Sequence, residues 1–286
     1  MDPVTGKKAE EDVMTTQTEA EADRVLKARH RALWALGDYP AVASEVIATL
    51  GPVLVQAAGI KSGQRVLDVA AGSGNAALPA ARVGANVTAS DLTPELLAAG
   101  RRQAGDLPVR WETGDAEALP YPMGSFDAVI SCVGVMFAPH HQVAADELAR
   151  VCCSGGTISV LSWTPAGFIG QMFAAMKPYS PPPPPGALPP PLWGDEQHVR
   201  ELLGDRVVNV DARTAALTVD RFGSAEEFRD FFKACYGPTI ATYRHIGEDP
   251  EKVAALDAAL VELGRRFGAD GGSMPWEYLL LTARKA

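Results

Sequence analysis

Between residues 64 and 163 the chain alternates short apolar runs with segments whose apolar residues recur at helical spacing. Val66-Leu67-Asp68-Val69-Ala70-Ala71 is apolar but for one aspartate and ends in Gly72-Ser73-Gly74. Such a run fits a buried parallel strand, because helices covering both faces of a sheet remove the need for polar alternation. Asn75 to Val83 reads as a helix stopped by Gly84, and Val87 to Ser90 as a second strand ending at Asp91-Leu92. Pro79 suits that helix only near its first turn, where its missing N–H has no partner to lose. Thr93-Pro94-Glu95 is a helix start, with a capping hydroxyl, a proline at the first helical position and an early acid. Val109 to Glu112, Phe126 to Ser131 and Thr157 to Ser162 are further strands. A helix at Gln142 to Val151 and a Gly155-Gly156 turn precede the last of them. Short right-handed crossovers turn this alternation into a doubly wound, mostly parallel α/β sheet.

The flanks read differently. Residues 1–20 are polar and without periodicity, which predicts a mobile tail. A helix is expected from Glu21 towards Leu36, broken by Gly37-Asp38-Tyr39-Pro40, and a second over Ala41 to Ala58 with a bend at Gly51-Pro52. After Trp163, the stripe of Phe168, Met172, Phe173 and Met176 leads into Pro181 to Pro185 and Pro189 to Pro191. Proline at that density favours an extended left-handed helix and a stiff strap, either a lid or a connector. The bordering aromatics Phe168, Phe173, Tyr179 and Trp193 favour the lid. Asp195 to Leu203 resumes as helix, and Val207 to Val219 gives a sixth strand. Ser224 to Cys235 is a helix opened by a Ser224/Glu227 capping box, Glu251 to Phe267 a long amphipathic helix, and Trp276 to Ala283 the closing strand. Phe228, Phe231, Phe232, Tyr236 and Tyr243 either roof an apolar cavity or pack the core.

Composition narrows the choice of partners. With 286 residues and 47% hydrophobic content the chain can bury the core of one elaborated domain, or of one domain plus a lid. Its net charge of -9, from 35 acidic against 26 basic residues, has no basic cluster beyond pairs, so no nucleic-acid footprint is expected. No apolar run approaches the ~18 residues of a membrane helix and no secretory signal pattern opens the chain, so a cytoplasmic location is expected. The four cysteines, Cys132, Cys152, Cys153 and Cys235, form no Cys-x-x-Cys pair and have no histidine at zinc-ligand spacing. No metal is expected, and packed, reduced thiols are.

In a doubly wound sheet, ligands sit at the carboxyl ends of the strands near the switch in strand order. Asp68, Gly72, Gly74, Asp91, Asp115 and Ala116 all fall at such ends. An adenosine-bearing ligand fits them. Glycines admit the part that hugs the main chain, Asp91 accepts from ribose hydroxyls, Asp115 accepts from an adenine amino group, and Leu92 and Val133 flank the ring. His140 and His141 follow the fourth strand, where a substrate would lie, and His140 is the candidate base; a solvated helix-capping turn is the plainer account of it.

These residues carry a resemblance. The chain resembles the class I S-adenosylmethionine-dependent methyltransferases, nearest the group that includes the ubiquinone and menaquinone biosynthesis enzymes (methyltransferase type 11). The likeness rests on 66 to 75, Asp91, Gly-Asp-Ala-Glu-Ala-Leu-Pro at 114 to 120, Ser-Phe-Asp-Ala-Val at 125 to 129, and Glu-Leu-Ala-Arg-Val at 147 to 151. It implies that Asp68 and the loop of Ala70, Gly72, Ser73, Gly74 and Asn75 hold the methionine portion of S-adenosylmethionine. It likewise gives Asp91 the ribose, and Asp115 with the Ala116 backbone the adenine. Cys152-Cys153-Ser154 departs from the basic residue and proline usual before Gly-Gly, at a turn remote from the ligand. In related enzymes an N-terminal element folds over the cofactor, so Trp34 and Tyr39 are candidates to touch it; core packing accounts for them equally well. The family fold is a seven-stranded sheet whose last strand inserts antiparallel.

The implied organisation is a tail at 1–20, a helical cap at 21–60, a cofactor-binding Rossmann-like core at 61–163, a proline-rich lid or linker at 164–194, and the rest of the sheet with inserted helices at 195–286. The expected activity is in-line methyl transfer to a small, partly apolar or aromatic acceptor at O, N or C. Two alternatives stand beside it. Gly72, Gly74 and Ala77 also satisfy G-x-G-x-x-A, which suits a nicotinamide-dependent oxidoreductase. A non-catalytic cofactor-binding protein acting through the proline strap is the other.

Overall fold

The computed structural model describes residues 21–286, so the expected tail at 1–20 lies outside the described residues. Helix α1 is described over residues 21–34 and is followed by α2 (Tyr39–Glu45) and α3 (Leu50–Ala57). The core then runs β1 (Arg65–Val69), α4 (Ala77–Arg82), β2 (Asn86–Asp91), α5 (Pro94–Ala104), β3 (Val109–Thr113), β4 (Phe126–Cys132), α6 (His141–Val151) and β5 (Cys152–Trp163). Beyond it lie α7 (Phe168–Met176), α8 (Glu196–Leu203), β6 (Val207–Val219), α9 (Ala225–Cys235), α10 (Gly237–Ile246), α11 (Pro250–Arg266) and β7 (Met274–Lys285).

The strands form one seven-stranded sheet in the order β3-β2-β1-β4-β5-β7-β6. Pairing is parallel from β3 through β5, while β7 runs antiparallel to both β5 and β6. The α/β fold with its antiparallel last strand is therefore the architecture the resemblance implied. Strand order reverses between β1 and β4, which opens a crevice at their carboxyl ends. Val66, Leu67 and Val69 of β1 and Ala128, Val129 and Ile130 of β4 are completely buried, as befits strands covered on both faces.

Three local expectations change. The helix expected over Ala41 to Ala58 is two helices bent by 70°, and the break falls at residues 46–49 rather than at Gly51-Pro52. Pro52 instead sits in the first turn of α3, where its missing N–H is harmless. Gly51 is needed for contact: a Cβ there would stand 1.7 Å from the Asn75 carbonyl oxygen, so α3 lies directly on the loop after β1. Strand β5 starts at Cys152, straight after α6, and its pairing with β4 slips between Phe126↔Cys152 and Ala128↔Thr157, so Gly155-Gly156 lies within an irregular strand. α10, opened by Gly237-Pro238, is an element the apolar spacing did not delimit.

The aromatics expected to border a lid divide. Phe168 and Trp193 are fully buried, and Phe168 stacks on Trp276 with centroids 4.9 Å apart. Phe228 and Phe232 join the same core, whereas Tyr236 meets Trp34 and Tyr39. The Pro181 to Pro185 run is largely exposed, and the strap is tied at both ends: Ser180 Oγ lies 2.9 Å from Thr242 Oγ1, and the Leu188 N–H donates to the Pro139 carbonyl at 3.0 Å. Ser224 caps α9 as expected, accepting from the Glu227 N–H at 3.1 Å, while the Glu227 carboxylate reaches back to the Gly223 N–H. Among the described residues no single helix is long and apolar enough to cross a membrane.

Candidate functional site

A cleft enclosing about 660 Å³ of space open to solvent lies over the carboxyl ends of β1, β2 and β4. Ala70 and Gly72 after β1, Asp91 and Leu92 at the end of β2, and Val133 and Gly134 after β4 form its floor. Ala70 has φ 53° and Val133 φ 46°, a left-handed conformation that is strained for a residue with a Cβ and most of all for a β-branched one. Both strained residues face the cleft. Gly134 must lack a Cβ, which would stand 2.2 Å from the Ala70 carbonyl oxygen.

Asp91 organises this floor. Its Oδ2 accepts the Gly72 N–H and its Oδ1 the Thr93 N–H, each at 2.8 Å. One carboxylate thus fastens the glycine loop to the head of α5. Burial pushes its pKa above the ordinary range, and the two N–H groups restrain the rise. Asp68, in contrast, does not line the cleft. It is 1% exposed, and neither carboxylate oxygen has a hydrogen-bond partner. Burial pushes its pKa up to about 8, and the nearby Asp91 charge adds to the rise. An unpartnered buried carboxylate is costly, so Asp68 is poised for a cation or donor it does not have.

The roof comes from α1. Lys27, His30 and Trp34 line the cleft from one helix face, at spacings of three and four residues. Lys27 Nζ donates to Asp115 Oδ1 at 3.1 Å and pairs with Glu117, and its side chain is 12% exposed. Asp115 also accepts the Glu117 N–H at 2.9 Å. Glu117 in turn accepts the His140 N–H at 2.6 Å and sits 2.9 Å from His140 Nδ1. Burial alone would raise the Glu117 pKa, but Lys27 and His140 outweigh it and hold the carboxyl below its usual range. Asp23 brings its carboxylate within 4.8 Å of Glu117 and His140, and the cation held at Glu117 is the Lys27 ammonium. At the other end of the roof, Trp34 meets Phe137 edge-on at 4.6 Å and Tyr39 at 5.4 Å, giving an apolar aromatic wall.

The structure therefore brings Trp34, Tyr39, Ala70, Gly72, Asp91, Leu92, Asp115, Ala116 and Val133 together around one cleft. Asp68, Ser73, Gly74 and Asn75 stay outside the lining. Gly74, with φ 92°, makes room for Trp111, since a Cβ would come 2.6 Å from that ring. Asn75 is turned away, its amide donating to the Ile47 carbonyl at 3.2 Å. His140 stands beyond Pro139 at the rim with its ring held by Glu117, and His141 is fully buried with Nδ1 3.0 Å from His198 Nε2. Burial and His198 lower the His141 pKa to about 4, so it stays neutral. Neither histidine lines the cleft. Lys27, His30 and Phe137 do, and the apolar spacing did not single them out. For Phe137 the signal lay in its place after β4, and for Lys27 and His30 in their spacing from Trp34.

Residues 67–160 match the Methyltransf_11 family model, a methyltransferase domain. The uncharacterized protein Rv1403c of Mycobacterium tuberculosis is 54% identical over 274 residues, covering 95% of this chain and 100% of that protein. A demethylmenaquinone methyltransferase of Thermus thermophilus is 40% identical over 109 residues, covering 37% of this chain and 50% of that protein. Among solved structures, the YcgJ protein from Bacillus subtilis shares the fold, with TM-score 0.55 and 20% identity over 83% of this chain and 98% of that one. The chain belongs to the family of the mycobacterial protein Rv1403c, and its residues 67–160 carry a methyltransferase domain of the S-adenosylmethionine-dependent type.

Proposed function

We propose that this cleft binds S-adenosylmethionine and transfers its methyl group to a small, partly apolar or aromatic acceptor in the cytoplasm. The observation that carries the reading is the polarity of the cleft. Lys27 holds the Asp115 carboxylate near the start of α1, and further along the same helix Trp34 meets Phe137 and Tyr39, so the lining passes from carboxylate to aromatic rings. The residues present fit the cofactor. Gly72 leaves its main chain bare, a Cβ there meeting only the Tyr39 ring at 3.5 Å. Each Asp91 oxygen accepts one N–H and keeps a lone pair for a ribose hydroxyl. Asp115, with the Ala116 backbone, suits an adenine amino group if Lys27 shares or yields its carboxylate. Asp68, lacking a partner beneath the loop, suits the methionine ammonium directly or through water.

When bound, the cofactor supplies a methyl group on a positive sulfur, electrophilic enough for in-line displacement. The protein's task is then alignment and exclusion of water, and positioning can contribute roughly 7–11 kcal/mol in favourable cases. The aromatic wall holds a flat apolar acceptor and carries no fixed charge, and α1 closes over it. The dinucleotide alternative loses its main support, because Gly74 faces Trp111 and offers no close approach to a pyrophosphate. A melting curve tests the proposal. S-adenosylmethionine or S-adenosylhomocysteine at ~100 times its dissociation constant should add about 2.7 kcal/mol of stability. A shift with NAD and none with either sulfur compound overturns it.

A further inference from the structure

We infer that His30 is the catalytic base, taking the proton from a hydroxyl-bearing acceptor held against Trp34 and Phe137. This rests on the methyl-transfer reading above. Among the described residues His30 is the one imidazole that lines the cleft, and none of them engages its ring by a hydrogen bond. His140 is engaged by Glu117, and His141 lies behind it against His198. Position on α1 supplies the geometry. His30 and Trp34 are four residues apart, so their side chains are neighbours on one helix face, roughly 5–6 Å apart at Cβ. A planar molecule lying on the Trp34 ring, with Phe137 at its side, therefore has an edge within reach of the imidazole.

The surrounding charges suit the role. Lys27 faces His30 from its own helix, Asp115 and Glu117 from the loop after β3, and His140 from the turn before α6. Burial and Lys27 lower the His30 pKa, which leaves the ring neutral and proton-accepting near pH 7. Asp115 and Glu117 then stabilise the imidazolium once the proton arrives. In the step, the acceptor's O–H proton moves to a ring nitrogen of His30 and an oxygen lone pair forms the new bond to the methyl carbon. The broken sulfur–carbon bond leaves its electron pair on sulfur, so the sulfonium becomes a neutral thioether.

The test uses 4-nitrocatechol, whose ionised and neutral forms absorb at different wavelengths, titrated into the full chain saturated with S-adenosylhomocysteine. The bound probe should show an apparent pKa below that of the free compound in the wild-type protein and in His140→Gln. In His30→Gln that depression should be lost; glutamine keeps the helix intact. An equal depression in His30→Gln and wild type overturns the assignment, as does its loss in His140→Gln alone. Failure of the probe to bind the wild-type complex overturns the hydroxyl acceptor. The melting shift given by S-adenosylhomocysteine, recorded for each protein, separately reads folding and the methyl-transfer reading itself.

Discussion

The floor and the roof of the cleft are built on opposite plans. The floor is built on main chain: the Asp91 carboxylate ties Gly72 to Thr93, Ala70 and Val133 hold strained turns, and all of these lie at or just past the ends of buried strands. The roof is side chain: Lys27, His30 and Trp34 reach down from a half-exposed helix and hold on by an ion pair and ring edges. A floor fixed by a buried carboxylate that holds two main-chain N–H groups can be preorganised for a ligand common to a whole family. A roof held by a few side chains can open for exchange and be altered without disturbing the sheet.

Replacing Asp91 by Ala should have the largest effect, because it orphans two buried N–H groups at roughly 1–3 kcal/mol each. Urea melts should show that loss together with a collapse of S-adenosylhomocysteine affinity. A loss below about 1 kcal/mol would mean that the floor does not depend on this carboxylate.

Asp68→Asn comes next and is read through pH. In the folded ligand-free protein Asp68 titrates near 8, far above its ordinary range, so the folded state holds a proton that the unfolded chain has lost. Stability contributed at this site therefore falls as pH rises from the ordinary carboxylate range towards 8. Melting temperatures of wild type should drop relative to Asp68→Asn across that window. Parallel curves would show that Asp68 is ionised and compensated throughout.

Lys27→Met acts on the roof alone. Hydrogen exchange should quicken in residues 21–34 while β1, β2 and β4 keep their protection. Loss of protection in the strands would erase the distinction between the two layers. Ala70→Gly should change least: relief of a left-handed Ala offsets glycine's extra chain entropy, for a net change within about 1 kcal/mol by thermal melting.

The same division governs what is legible in the residues alone. The strands are legible because β1 and β4 are buried on both faces, which forces apolar runs such as Val66-Leu67 and Ala128-Val129-Ile130. Asp91 is legible because a carboxylate at the end of a buried strand is costly unless a donor or a ligand meets it, and Asp115 because it falls in the turn after the next strand of the same sheet. Gly74 misleads because two glycines in a turn look alike in sequence, yet one is bare to the cleft and the other clears Trp111. Asp68 stands out as an odd carboxylate in an apolar strand, but which side of the loop it faces depends on packing. Lys27 and His30 sit on a helix rich in charge, a pattern that ordinarily marks a solvated face. Only docking of α1 onto Glu117 and Phe137 turns that face inward. His140 draws notice by following β4, and the Glu117 carboxylate that engages it comes from a different loop.

The placement of the indoles has a practical consequence. Of five tryptophans, Trp111, Trp163, Trp193 and Trp276 are buried, and Trp34 alone stands partly open, at the mouth of the cleft. Its fluorescence should dominate any change in emission colour or quenching by iodide, so the native chain carries an intrinsic optical gauge of whether α1 lies shut over an occupant.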